Sequence, residues 1–85
     1  MDIHYFAAAR AARGVAQETV DSSDRTLNDL LKSLGEQHTE HTASGMTLEQ
    51  IFERCTFLVD GRSAAPTDSL AGAARVDILP PFAGG

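Results

Sequence analysis

An α+β roll, one main helix packed across one mixed sheet of four to five strands, is the fold the sequence predicts. Three observations carry that expectation. Leu27, Leu30, Leu31 and Leu34 recur at i, i+3, i+4 and i+7, the apolar stripe of a helix that must bury one face. Ile3 with Tyr5, Phe57 with Val59 and Val76 with Ile78 alternate with other residues at period two, the pattern of strands with one face inward. Finally, 85 residues of which 42% are hydrophobic suffice for one modest core and not for two.

The elements follow in order. "MDIHYF" opens with a short strand in which Ile3 and Tyr5 alternate with His4 and Phe6. "AAARAARG" (7–14) is a small-residue connection, partly helical and closed by Gly14, leading to a second strand in "VAQETVD" (15–21). Thr26 caps the main helix, with Asp29 three residues on completing a near capping box, and Gly35 is the expected stop. Segment 36–45, "EQHTEHTASG", has no core pattern and reads as an exposed loop or a frayed helical extension. Thr47 with Gln50 caps a second, short helix bearing Leu48, Ile51 and Phe52. "CTFLV" is a strand ending at the turn pair Asp60-Gly61, and a brief strand is expected before Pro66. "RVDIL" is the last strand, with Val76 and Ile78 on one face and Asp77 and Leu79 on the other.

Composition narrows the function classes. The net charge is −5, from 12 acids and 7 bases, and the arginines are scattered singly, so no basic stripe can track a phosphate backbone and nucleic-acid binding is not expected. No apolar run approaches the ~20 residues that span a bilayer, so no membrane segment is expected. The start lacks a basic leader, and the single cysteine, Cys55, fits a reducing compartment; the expected location is cytoplasmic. One cysteine forms no internal disulfide and cannot ligate an iron–sulfur cluster.

The chemistry-bearing feature is the end, "ILPPFAGG". Pro80 cannot donate to a ladder and so ends the last strand, and Pro80 with Pro81 keeps the chain extended. The expected division is a folded unit over 1–79 and a flexible tail over 80–85. That tail reaches at most roughly 20 Å, at about 3.3 Å per residue. Gly84 and Gly85 add no side chains, so a narrow peptide tipped by a carboxylate could thread a tunnel that rejects any Cβ. Two terminal glycines arise by chance roughly once in 200 sequences. A carboxylate is inert toward nucleophiles until ATP converts it to an acyl-adenylate. The sequence has no phosphate-cradling glycine-rich loop for that step, so the activating machinery must be a partner.

"ILPPFAGG", the opening "HYFAAAR" and the turn at Val59-Asp60-Gly61 together resemble the ThiS/MoaD group of ubiquitin-like sulfur carriers, most closely the small subunit of molybdopterin synthase. The resemblance implies a ubiquitin-like β-grasp, with the first and last strands parallel at the sheet's centre. It implies a non-catalytic, sulfur-carrying subunit of a sulfurtransferase complex, with no bound cofactor or metal. Sulfur would be carried as a thiocarboxylate on Gly85, after adenylylation by an enzyme resembling ubiquitin-activating enzyme. A larger catalytic subunit, in a heterotetramer, would take the tail and pass its sulfur to a pterin precursor. Related carriers serve thiamine and cysteine biosynthesis, and a protein modifier would use the same tail to form isopeptides.

Other residues are weighed beside the tail. Phe6 and Leu79 fall out of phase with the inward set and are expected together on the helix-free face near the tail's exit, a docking patch for partner enzymes. Pro80, Pro81, Phe82 and Ala83 are the expected partner contacts within the tail, with Phe82 as an anchor. His38 and His41 have the spacing of a helical metal pair but no further convergent ligand, which favours a solvated loop. Cys55 reads as a small filler rather than a sulfur nucleophile, His4 as an outer-face residue, and Arg10, Arg13 and Arg75 as ordinary surface charge.

Overall fold

In the computed structural model, residues 1–21, 25–38 and 45–81 are described, so the expectations for His41 and for Phe82, Ala83, Gly84 and Gly85 lie outside the described residues. Eight elements follow one another: β1 (Asp2–Tyr5), α1 (Ala7–Arg13), β2 (Gln17–Thr19), α2 (Leu27–Gln37), α3 (Leu48–Phe52), β3 (Thr56–Val59), β4 (Arg62–Ala64) and β5 (Arg75–Leu79). The sheet runs β2-β1-β5-β3-β4, with β1 and β5 parallel and every other pair antiparallel. This is the expected β-grasp. β1 reads across to β5 from Asp2 opposite Arg75 to Tyr5 opposite Ile78, which sets Ile3, Tyr5, Val76 and Ile78 inward together.

All four are at most 2% exposed and share one core with Leu27, Leu30, Leu31 and Leu34 of α2 and Leu48, Ile51 and Phe52 of α3. Each fully buried leucine or isoleucine of that set contributes about 1.5–3 kcal/mol. Phe52 meets Phe57 edge to face, with centroids 6.2 Å apart, and so ties α3 to β3.

Both predicted caps form. The Thr26 hydroxyl accepts from the Asp29 N–H and the Asp29 carboxylate accepts from the Thr26 N–H; Thr47 and Gln50 repeat the exchange at α3. The expected stop at Gly35 is corrected. α2 continues to Gln37, and Gly35 is buried, because a Cβ there would stand 3.1 Å from the Glu49 Cβ. The glycine serves the close approach of α2 to α3 rather than a helix end. The small-residue connection after β1 is a seven-residue helix, α1, anchored through buried Ala9, and β2 is shorter than its expected strand.

Beneath α1 lies a polar network that the periodicity did not signal. Arg13 donates twice to Glu18, at 2.8 and 2.9 Å, and the buried Tyr5 hydroxyl donates to the same carboxylate at 2.5 Å. The Arg13 hydrogen bond holds the Glu18 carboxyl below its ordinary value, while burial and the Glu18 hydrogen bond push the Tyr5 phenol up. A depressed carboxyl contributes stability above its unfolded value, lost as pH falls through the folded one. A raised phenol contributes stability that erodes as pH climbs past its ordinary 10.0. Glu18→Gln is expected to cost about 1–2 kcal/mol, discounted for the partial exposure of the pair. Urea midpoints at neutral pH, and again in acid, check this: the gap between variant and parent should close as pH falls.

The β3–β4 hairpin turns on Asp60 (φ 50) and Gly61 (φ 82), two successive left-handed residues as a type I′ turn requires. Asp60 does more than turn the chain. Its Oδ1 accepts from the Ala74 and Arg75 N–H groups at 3.0 and 2.9 Å, which pins the hairpin to the start of β5. Asp60→Ala is expected to cost about 1–2 kcal/mol, whereas Asp60→Asn, which keeps an acceptor, stays near the parent in a thermal melt.

Candidate functional site

β5 is the central strand, and it carries the chain's last described residues out of the sheet. Leu79 pairs with Thr56, after which Pro80 is half-buried and Pro81 exposed. Neither proline has an N–H to extend a ladder, so pairing with β3 stops where the sequence predicts.

Among the described residues the sheet face opposite the core carries no helix, and the registers set out what stands on it. One row reads Gln17, His4, Asp77, Leu58 and Ser63 across all five strands. A second holds Thr19, Asp2 and Arg75, and a third pairs Leu79 with Thr56. Phe6 extends the third row. Its N–H donates to the Ile78 carbonyl at 3.2 Å, one step beyond the paired residues of β1 and β5, and its backbone is still extended at φ −121 and ψ 151. Ala7 then takes φ 49, so the chain leaves the strand sharply just past Phe6. A left-handed alanine costs on the order of 1 kcal/mol, which the surrounding packing must offset.

Phe6 is 39% exposed and Leu79 half-buried, and they stand at the end of the sheet from which Pro80 departs. The expected pairing of these two residues on the helix-free face is what the register places. Two neighbours were not singled out in sequence. Leu58, half-buried, lies between Phe57 and Val59 and therefore faces outward by simple alternation, a signal available in "TFLV". Asp77 is only 8% exposed, and its carboxylate accepts from the Arg75 Nε at 2.6 Å. Arg75 is thus engaged within its own strand rather than standing as ordinary surface charge, and so is Arg13 through Glu18; Arg10 is exposed on α1.

Cys55 is half-buried, donates to the Ile51 carbonyl at 3.1 Å and has its thiol pushed by burial up to about 11. It therefore stays protonated at neutral pH and makes a poor nucleophile. His4 stands half-buried on the outer face, and His38 caps the end of α2. Among the described residues no group of three or more His, Cys, Asp or Glu is arranged to hold a metal ion, and no helix is long and apolar enough to cross a membrane.

A model described as the ThiS family matches residues 3–85. The chain belongs to the ThiS family. The match takes in both the folded unit and the terminal residues. As a ThiS-family member the chain is of the small sulfur-carrier kind. No curated protein matches its sequence. Among solved structures it is similar to the crystal structure of small archaeal modifier protein 1 from Haloferax volcanii, with a TM-score of 0.72, 23% identity and coverage of 99% of this chain and 97% of that one. It is also similar to a Pyrococcus furiosus protein assigned as molybdopterin converting factor, subunit 1, with a TM-score of 0.69, 19% identity and coverage of 95% of both chains. At these identities the likeness speaks for the fold of this ThiS-family chain.

Proposed function

We propose that the chain is a sulfur carrier whose working atom is the carboxyl carbon of Gly85, with residues 1–79 as the folded body and 80–85 as the tail. The observation that supports this most is that the family match runs to residue 85 and so includes the Gly-Gly end. The carboxylate of Gly85 attacks the α-phosphate of ATP on a partner adenylyltransferase resembling ubiquitin-activating enzyme. Pyrophosphate leaves and an acyl-adenylate forms. A sulfur nucleophile then displaces AMP, and the carrier ends in a thiocarboxylate, with no cofactor bound.

Delivery requires that the tip enter another protein. Pro80 and Pro81 stiffen the departure, Gly84 keeps the tip slim, and Phe82 and Ala83 contact the tunnel. The outer-face pair Phe6 and Leu79, at the tail's root, docks the body. The pathway we favour is molybdopterin formation. There a larger catalytic subunit, in a heterotetramer with this chain, takes the tail and transfers its sulfur to a pterin precursor; the likeness to the Pyrococcus furiosus molybdopterin converting factor subunit supports this choice. Thiamine or cysteine biosynthesis would use the same chemistry.

A second reading is a protein modifier, favoured by the likeness to the Haloferax volcanii small archaeal modifier protein. Here the adenylated tail acylates lysines instead of accepting sulfur. Intact mass of the protein recovered from its native cells separates the two. A gain equal to one oxygen exchanged for one sulfur is the carrier's result. Conjugates joined through Gly85 to other proteins' lysines, with no thiocarboxylate, would overturn it in favour of the modifier.

A further inference from the structure

Phe6 is held from both sides by one carboxylate. Glu18 stands opposite Ile3 in the β1–β2 register, so its side chain lies on the inner side of the sheet, beneath α1. The residue before Phe6 reaches it, because the Tyr5 hydroxyl donates to Glu18 Oε2. The helix after Phe6 reaches it too: Arg13, the last residue of α1, donates to Oε2 and Oε1. Phe6 itself begins that helix, its carbonyl accepting from the Ala9 and Arg10 N–H groups at 3.0 and 3.3 Å. Backbone and side chains thus close a ring that runs from Tyr5 through Phe6, α1, Arg13 and Glu18 back to Tyr5.

At the bend of the ring stands Ala7 at φ 49, a left-handed backbone that a residue with a Cβ keeps only where its surroundings over-determine it. Two kinds of tether do so. Buried Ala9 and half-buried Ala12 seat α1 on the core, but with methyl groups alone. The Arg13–Glu18 pair fastens the last turn, and among the described residues it is the one ion pair that α1 makes. With that pair gone, the strain at Ala7 favours a bend that opens, and the 39% exposed Phe6 side chain turns with it.

We propose that Glu18 is a positioning residue for docking: by tying Tyr5 and Arg13 to one carboxylate it holds the bend at Ala7 and so fixes the direction in which Phe6 is presented to a partner protein. This rests on the reading that Phe6 and Leu79 dock the body. Glu18 lies on the opposite side of the sheet from that face, so its effect passes through Phe6.

The test follows ATP-dependent pyrophosphate release by the partner adenylyltransferase, with the full chain as substrate, well below the thermal midpoint of every variant. Glu18→Ala and Phe6→Ala are each expected to raise KM about tenfold, with kcat within about twofold of the parent. The double variant should be no worse than Phe6→Ala alone, because a misdirected alanine has nothing further to lose. Asp60→Ala, which loosens the hairpin at the other end of β5, should keep the parental KM and so separates positioning from general destabilisation. In the chain without enzyme, amide exchange at Ala9 and Arg10 should quicken in Glu18→Ala while Leu30 and Leu34 stay slow. The assignment is overturned by a parental KM or unchanged Ala9 and Arg10 exchange in Glu18→Ala, by effects that multiply in the double variant, or by an equal rise in Asp60→Ala. A parental KM in Phe6→Ala sinks the docking reading and this assignment with it. Failure of the carrier reading shows in the parent chain itself, as no pyrophosphate released, and removes both.

Discussion

Deleting Gly85, or replacing Gly84 with phenylalanine, is expected to abolish sulfur transfer and to leave the thermal midpoint where it was. Both halves of that outcome have the same cause. Among the described residues the core is built from positions up to Ile78, β5 ends at Leu79, and Pro81 is already exposed, so the described core is complete before the last two glycines. The proposed chemistry, in contrast, runs through them. Without Gly85 the carboxyl carbon sits one residue short of its target, and a positional error of even 1 Å costs reactions of this kind on the order of a hundredfold. A side chain at Gly84 widens the part of the tail that must enter a tunnel. A sulfur-transfer assay with the partner enzymes, run beside a melt of each variant, gives both readouts.

Leu30→Ala produces the reverse pattern. Leu30 is 2% exposed within the α2 stripe and shares the core with the β1 and β5 residues. Truncation removes its transfer free energy and leaves a cavity, for a loss of about 2–5 kcal/mol. Set against the roughly 5–15 kcal/mol that a whole domain has, that is a large fraction. For a domain of this size it lowers the midpoint by at least about 8 °C. The tail keeps its sequence, so the surviving folded fraction should still accept sulfur at low temperature. Denaturant titration and a cold transfer assay distinguish a stability loss from a functional one.

What was legible in the sequence, and what was not, divides along physical lines. The capping boxes at Thr26–Asp29 and Thr47–Gln50 were readable because the bonding partners lie three residues apart. The leucine stripe and the inward strand residues were readable from period alone. Gly35 was misread because its reason, the nearness of Glu49, is a contact across fourteen positions that no local rule contains. The seven residues of α1 have no apolar stripe, only alanines and arginines of high helix propensity, so a connection was as natural an expectation as a helix. The Tyr5–Glu18–Arg13 network and the two backbone bonds to Asp60 likewise join residues that only the fold brings together.

The candidate site splits in the same way. The Gly-Gly tail could be singled out because its proposed role follows from composition at the end of a strand. The docking face is a property of register: His4 beside Asp77, Asp77 beside Leu58, and Phe6 bonded one step past the ladder. Alternation within each strand says which residues point outward but not which strands are neighbours.

The destination of the sulfur separates a working tail from a working thiol. The chain, incubated with its adenylyltransferase, ATP and a sulfur donor and then digested with trypsin, yields residues 76–85 as one peptide whose fragmentation locates the added atom. The expected result is one sulfur in place of one oxygen at the terminal carbonyl of Gly85, with Cys55 unaltered. Sulfur found on Cys55, beside a terminal peptide of unchanged mass, would contradict it.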